Sequence, residues 1–215
     1  MPSQLYNNNL SQGSISNITK SFQEDVKEFN SRKLADKYFA IFVDATYLSL
    51  RRTTFDKEAV NTVIGIRLDG VCEILEFSVS PTETKSEWER IFLNLHNRGI
   101  DSCQILISDG FSGIEELSKK YFGESCKYQR CCIHLIRNLK NMVRESDQAE
   151  IASDFSDTLH MQDKEHAYNA FDCFVNKWSI KYPSIKTWAE RTSKQTIYAF
   201  NFVILEKFHS LISIN

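Results

Sequence analysis

The 215-residue sequence predicts an α/β fold: a mixed sheet made of a three-strand antiparallel meander plus parallel strands, flanked by helices, with an α-helical insertion near the C-terminus. Three observations carry that expectation. Between Tyr38 and Val79 three apolar segments of strand character follow one another, with Asp69-Gly70 at the turn between the second and third. The short apolar run CQILIS, ending at Ser108, lies between two segments of helical period, as a buried central strand of a βαβ unit would. Beyond Glu145 the apolar residues recur at three- and four-residue steps, which is the period of helices.

Each element has its own signal. After the polar opening MPSQLYNNNLSQGS, the residues Ile15, Ile18, Phe22, Val26 and Phe29 form the narrow stripe of an amphipathic helix, and NSRKLADK links it onward. YFAIFVDATYLSL is the first strand, apolar throughout its first half and alternating in its second. Residues 60–68 alternate as a second strand, and Asp69-Gly70 reads as a two-residue hairpin. VCEILEFSV returns as the third, with Val71, Glu73, Leu75, Phe77 and Val79 sharing one face. Thr84 and Glu87 read as a capping box ahead of the stripe Trp88, Ile91, Phe92 and Leu95, and Gly99 stands where a left-handed residue ends a helix. After CQILIS, Ser112 and Glu115 cap a helix that turns Ile114, Leu117 and Tyr121 inward. KYQRCCIH starts as a fifth short strand and passes into a helix through Leu139 and Val143. Ile151, Phe155 and Leu159, then Ala167, Phe171, Phe174 and Trp178, mark two more helices, and IKTWAE a short one after Pro183.

A right-handed crossover places the CQILIS strand parallel to the first. If the two are neighbours, Asp44 and Asp109, each closing an apolar run, emerge close together. That order of elements is the ribonuclease H-like arrangement. It divides the chain into a tail and amphipathic helix (residues 1–37), a sheet core (38–145), a helical insertion (146–200) and a terminal segment (201–215).

Composition narrows the function classes. With 42% hydrophobic residues, 15 Phe and only 7 Gly and 3 Pro, the chain can bury a core and is not of disordered type. A net charge of −2 neither requires nor bars an anionic partner, so any DNA contact must rest on local clusters rather than on a basic surplus. Cys72, Cys103, Cys126, Cys131, Cys132 and Cys173 are scattered through strands and helices, unlike a secreted disulfide scaffold. No apolar run approaches the roughly 20 residues of a membrane span. The first residues lack the regions of a signal peptide, so a cytoplasmic setting is expected.

Asp44 and Asp109 are the candidate functional pair. Two adjacent carboxylates repel unless a cation stands between them, and oxygen ligands suit Mg2+ or Mn2+ better than zinc. A pair of such ions can activate a water and stabilise the departing oxygen of a phosphodiester. From spacing alone, the alternative is that both are ordinary strand-end and turn residues. Arg51, Arg52, Arg98, Arg130 and Arg137 are candidates for phosphate contacts, because arginine forks match phosphate oxygens, although surface arginines are commonly just solvated. Trp88 and Trp178 lie on helical stripes and belong to the core; His160 and His166 are expected at the surface.

The blocks "FVDATYLSLRR", "VIGIRLDGVCEILEF", "ERIFLNLHNRGI", "LISDGFSGIEEL" and "YQRCCIHLIRNL" occur in that order. Together they resemble the successive blocks of the mutator-type transposases of bacterial insertion sequences, enzymes of the DDE class. The resemblance implies a ribonuclease H-like fold with a helical insertion before the last catalytic element. It further implies Asp44 and Asp109 as the first two metal ligands and catalytic residues, Mg2+ or Mn2+ as the cofactor with zinc not expected, and DNA as partner, both element ends and target. A homo-oligomer or pairing with an intact transposase would follow. The family's third ligand is a glutamate just after a Thr-Thr-Asn block. Here FHSLISIN reads as a degraded copy of that block, with Asn215 as its asparagine, while Glu206 precedes it and does not match.

The resemblance also implies a basic DNA-binding region ahead of the sheet, expected here to be missing save for the first helix. The expectation is therefore a fragment truncated at both ends, from a disrupted element, and unable to carry out strand transfer alone. Cys131 and His134 match the family's Cys-x-x-His signature. One such pair supplies only two of the four ligands of a zinc site, so these residues are expected to order the active-site side of the fifth strand. Two other readings stay open. One is a non-catalytic fragment that regulates an intact transposase. The other is a stand-alone ribonuclease H-like nuclease using Glu73 or Glu76 as its extra ligand, residues that strict alternation puts on opposite faces.

Overall fold

In the computed structural model the strands β1 (Lys37–Arg51), β2 (Phe55–Arg67), β3 (Cys72–Ser80), β4 (Ser102–Ser108) and β5 (Lys127–Arg130) join in one sheet, ordered β3-β2-β1-β4-β5. β1, β2 and β3 pair antiparallel, while β4 pairs parallel to β1 and β5 parallel to β4. The mixed α/β sheet expected from the sequence is present. Residues 25–51, 55–161, 163–192 and 197 are described, and the chain divides into two units after Leu34. In the first unit residues 25–31 are helical (α1), with the Arg32 guanidinium 4.3 Å from the centroid of the Phe29 ring. The other stripe positions Ile15, Ile18 and Phe22 lie outside the described residues, as does the whole FHSLISIN segment.

The meander differs from its sequence pattern in two places. The β2–β3 loop has three residues, not two. Gly70 N–H donates to the Arg67 carbonyl at 3.0 Å and Arg67 N–H to the Val71 carbonyl at 2.9 Å. Gly70 takes the left-handed position that closes such a loop, at φ +86. Further along, Val63 pairs with Glu76 but Ile64 pairs with Ile74, so Leu75 is an extra residue, a β-bulge. The bulge resets the alternation. Leu75 and Glu76 are both buried, while Ile74, Phe77 and Val79 share the open face at 51%, 40% and 50% exposure. Gly65 makes room for this, since a Cβ there would lie 2.6 Å from the Tyr38 ring and 2.8 Å from the Leu75 side chain.

Helices α2 (Lys85–Asn97) and α3 (Ile114–Phe122) make the β3-to-β4 and β4-to-β5 connections. Thr84 caps α2, its hydroxyl accepting from Glu87 N–H at 3.2 Å, but the Glu87 carboxylate turns to Arg90 at 2.7 Å, so only half of the capping box forms. Gly99 follows at φ +118, as its position predicts. The cap of α3 is Gly113 at φ +89 and not Ser112. Trp88, Ile91, Phe92 and Leu95 are buried, and Phe92 meets Phe122 of α3 with ring centroids 5.1 Å apart.

After β5 come α4 (Cys132–Asn141), a 3-10 turn (Glu145–Asp147), α5 (Gln148–Leu159), α6 (Lys164–Lys181) and α7 (Ser184–Arg191). They bury a core of their own: Leu135 and Leu139 against Ile151 and Phe155, then Phe171, Phe174 and Trp178, then Ile185, with Ile197 beyond α7 joining it. Phe155 is central, 5.6 Å from Phe174 and 5.9 Å from Trp188 between ring centroids. Burying such a ring stabilises by about 1.5–3 kcal/mol. Among the described residues no helix is long and apolar enough to cross a membrane.

One of the arginines expected to meet phosphate has a different place in the fold. Arg98 is buried at the end of α2. Its Nη1 lies 2.9 Å from Glu76 Oε2 and donates to the Leu75 carbonyl at 2.8 Å, with the two charged side chains only 6% and 4% exposed. Asn94 adds a donor to the same Glu76 oxygen at 2.8 Å. The pair ties α2 to the bulge of β3. Replacing Arg98 by Met strands a buried carboxylate, a change that costs about 3–5 kcal/mol. Urea denaturation is expected to show a lower midpoint with an unchanged slope, and the double variant R98M/E76L should recover most of the loss.

Candidate active site

The topology gathers chain ends at one edge. β3 runs in the same sense as β1, since both are antiparallel to β2, and β4 and β5 run parallel to β1. The chain therefore leaves β3, β4 and β5 at the edge toward which β1 carries Asp44. The β1–β4 register pairs Tyr38 with Cys103, Ala40 with Ile105 and Phe42 with Ile107. Continued by two residues, it sets Asp44 against Asp109, the first residue past β4. Neighbouring strands lie about 5 Å apart. Phe42, Ile105 and Ile107 pack in one cluster with Cys131. By the period of two, both aspartates therefore lie on that face, where α4 begins.

Neither aspartate is a buried charge: the Asp44 side chain is half exposed, at 50%. Local bonds orient both. Thr46 Oγ1 donates to Asp44 Oδ2 at 3.4 Å, and Phe111 N–H donates to Asp109 Oδ1 at 3.1 Å in a turn the aspartate makes with its own backbone. His134, in the first turn of α4, places Nε2 3.8 Å from Asp44 Oδ1, and its buried Nδ1 has no hydrogen-bond partner among the described residues. Its neighbour Cys131 caps α4 and donates its N–H to the Ser108 carbonyl at 2.6 Å, one residue before Asp109. The Cys-x-x-His block thus lies beside both aspartates.

Glu83 was not a candidate from the sequence. It sits between β3 and α2, where Trp88 Nε1–H donates to its Oε1 at 2.8 Å and Tyr47 hydroxyl accepts from its N–H at 3.4 Å. Burial raises its carboxyl pKa, the Trp88 hydrogen bond opposes this, and the charges of Asp109 and then Asp44 raise it further. A third acid therefore lies within the field of the pair. Nothing in the run PTETK marks it, because its closeness depends on where β3 ends.

Of the arginine candidates, Arg130 reaches the Asp109 backbone, with Nη2 donating to its carbonyl at 3.1 Å. Arg137 is exposed on α4, one turn after His134. The Arg51 side chain and all of Arg52 lie outside the described residues. Glu73 accepts from the Tyr38 hydroxyl at 2.7 Å and Glu76 is held by Arg98, so both carboxylates are engaged elsewhere in the sheet. The bulge also undoes the alternation argument for that pair. Arg191, another residue the sequence did not single out, joins Arg130, Tyr128, Phe111 and Gly110 around a cleft of about 260 Å3 beside Asp109.

Asp44 lies within β1, which continues past it to Arg51 against β2, and Asp109 follows the end of β4; their carboxylates are the chemistry that suits a hard divalent cation. Among the described residues no group of three His, Cys, Asp or Glu is arranged to hold a metal ion. The two aspartate carboxylates fit Mg2+ or Mn2+ in kind.

The chain matches the family model described as "Transposase, Mutator family" over residues 2–215. It is 34% identical over 212 residues to the transposase for insertion sequence element IS905 of Lactococcus lactis subsp. lactis (strain IL1403), which covers 98% of this chain and 53% of that protein. Similarity to the transposase for IS1201 of Lactobacillus helveticus is 32% over 178 residues, 83% of this chain and 48% of that one. The transposase for ISRM5 of Rhizobium meliloti (strain 1021) is 27% identical over 192 residues, 89% and 48% of the two chains. The chain spans about half the length of these curated relatives.

Packing around the block sets Cys132 apart from the exposed cysteines elsewhere in the chain. Burial, then the neighbouring Cys131, pushes the Cys132 thiol up to about 11, while Cys72 and Cys173 are exposed. The thiolate is the reactive form, so at pH 8 only about a thousandth of Cys132 is reactive. Brief iodoacetamide treatment at pH 8, read by peptide mass spectrometry, should modify Cys72 and Cys173 and spare Cys132. Equal labelling would contradict this packing.

Proposed function

The chain belongs to the Mutator family of transposases, and from that membership we propose that it is a DDE-type catalytic domain with a ribonuclease H-like fold, Asp44 and Asp109 being two of its metal-binding carboxylates. The observation that supports the reading is the parallel β1–β4 register, whose last pair, Phe42 and Ile107, lies two residues before each aspartate. The sheet order β3-β2-β1-β4-β5, followed by a helical unit, supports the fold assignment.

In this reading the substrate is DNA, at element ends and at the target. A bound Mg2+ or Mn2+ would activate the attacking oxygen and stabilise the departing oxygen of a phosphodiester. The chain's own residues prepare the place. Asp44 and Asp109 present oxygens from neighbouring strands, and Thr46 together with the Phe111 N–H hold those carboxylates in set orientations. Exposed Arg137 beside His134 offers a cation to a phosphate of the strand lying there. With a formal charge of −2, DNA contact depends on such local cations.

Titration of the purified chain with Mn2+, followed by electron paramagnetic resonance, tests the assignment. Asp44→Asn and Asp109→Asn should each weaken binding by more than the ~10–100-fold typical of changes one shell further out. Circular dichroism of both variants should match the parent. Wild-type affinity in both would remove the basis of the reading.

A further inference from the structure

We infer that Arg130 is a positioning residue whose guanidinium clasps the Asp109 backbone to the end of the helical unit, so that the helices α4–α7 set the register of the candidate carboxylate site. The inference goes beyond the proposed function but rests on it for the consequence at the ion site.

The geometry is specific. Arg130 closes β5, directly beside β4, pairing with Ser108. Its Nη2 donates to the Asp109 carbonyl and its Nη1 to Thr192 Oγ1, both at 3.1 Å. Thr192 is buried, 1% exposed, and forms the C-cap of α7. One planar fork thus joins two elements that are adjacent only in the folded chain. Gly110 is shaped around it. A Cβ there would lie 2.5 Å from both Nε and Nη2 of Arg130, and φ of +105 favours glycine in any case. The residue before reinforces the join: buried Gln129 donates from Nε2 to the Ile197 carbonyl, and Ile197 is part of the helical core. Two successive residues of β5 therefore bond Ile197 and Thr192, and one of them also holds Asp109.

Lysine cannot replace the fork. Its ammonium is a single point charge on a flexible stem, without the two fixed, parallel donors that span both acceptors. A phosphate-binding role, by contrast, requires mainly the charge. The two roles thus separate on substitution. Hydrogen exchange of the full chain, read on peptides spanning residues 108–113 and 190–197, reports the clasp directly, and Mn2+ affinity reports its effect on the ion site. Arg130→Met and Arg130→Lys should both speed exchange in the two peptides and weaken Mn2+ by about tenfold or more. Thr192→Val, which removes one acceptor and keeps the volume, should loosen both peptides to a lesser degree and serves as the test if Arg130→Met does not fold.

Wild-type exchange in Arg130→Lys and in Thr192→Val would overturn the inference. So would unchanged exchange in Arg130→Met with only DNA affinity reduced, which would make Arg130 a phosphate contact. If the parent chain binds no Mn2+, the proposed function fails, while the exchange data still decide the clasp.

Discussion

The parallel pairing of β1 with β4 is the constraint on which the rest of the molecule depends. Its register, which ends at Phe42 and Ile107, brings together two stretches of chain in which Asp44 and Asp109, 65 positions apart, each follow the last paired residue by two positions. Parallel strands need a long crossover between them. Here the path from β1 to β4 runs through β2, β3 and α2, whose stripe of Trp88, Ile91, Phe92 and Leu95 is buried, with Phe92 against Phe122 of α3. The hydrophobic effect thus supplies the energy, and the hydrogen-bond ladder supplies the register.

The edge of the sheet then collects what the strands deliver. β3 brings the segment that carries Glu83, β4 brings Asp109, and β5 brings Arg130 and the Cys-x-x-His block. None of these groups is deeply buried as an isolated charge, which would cost several kcal/mol. The charge that is deeply buried, Glu76, has a buried partner in Arg98 and lies under α2, away from the carboxylates. Packing sorts the charges: one pair welds a helix to a bulge, and the two aspartates keep part of their surface exposed.

The helical unit is more than an appendage. Its core closes on itself through Phe155, Phe171, Phe174 and Trp178, yet its last described residues are fastened to β5 by Gln129 and Arg130. A unit with its own core and two polar fasteners at the site can transmit its orientation to the strand end it grips.

What the sequence determined by itself is what local chemistry decides: strand or helix from the period of apolar residues, the Thr84 and Gly99 helix boundaries, the Asp69-Gly70 hairpin, and the two aspartates closing apolar runs. The Mutator-type blocks were legible for the same reason, as contiguous stretches. Only the tertiary structure decided the rest. The bulge at Leu75 could not be read, because it depends on the fit of Leu75 and Tyr38 over Gly65 in another strand. Arg98 looked like any surface cation until α2 was laid against β3, and Glu83 and Arg191 acquired a place only when β3 and α7 ended beside Asp109. Periodicity reports which way a side chain points within its own element, whereas its neighbours across the fold are set by the long-range packing of elements distant in the chain.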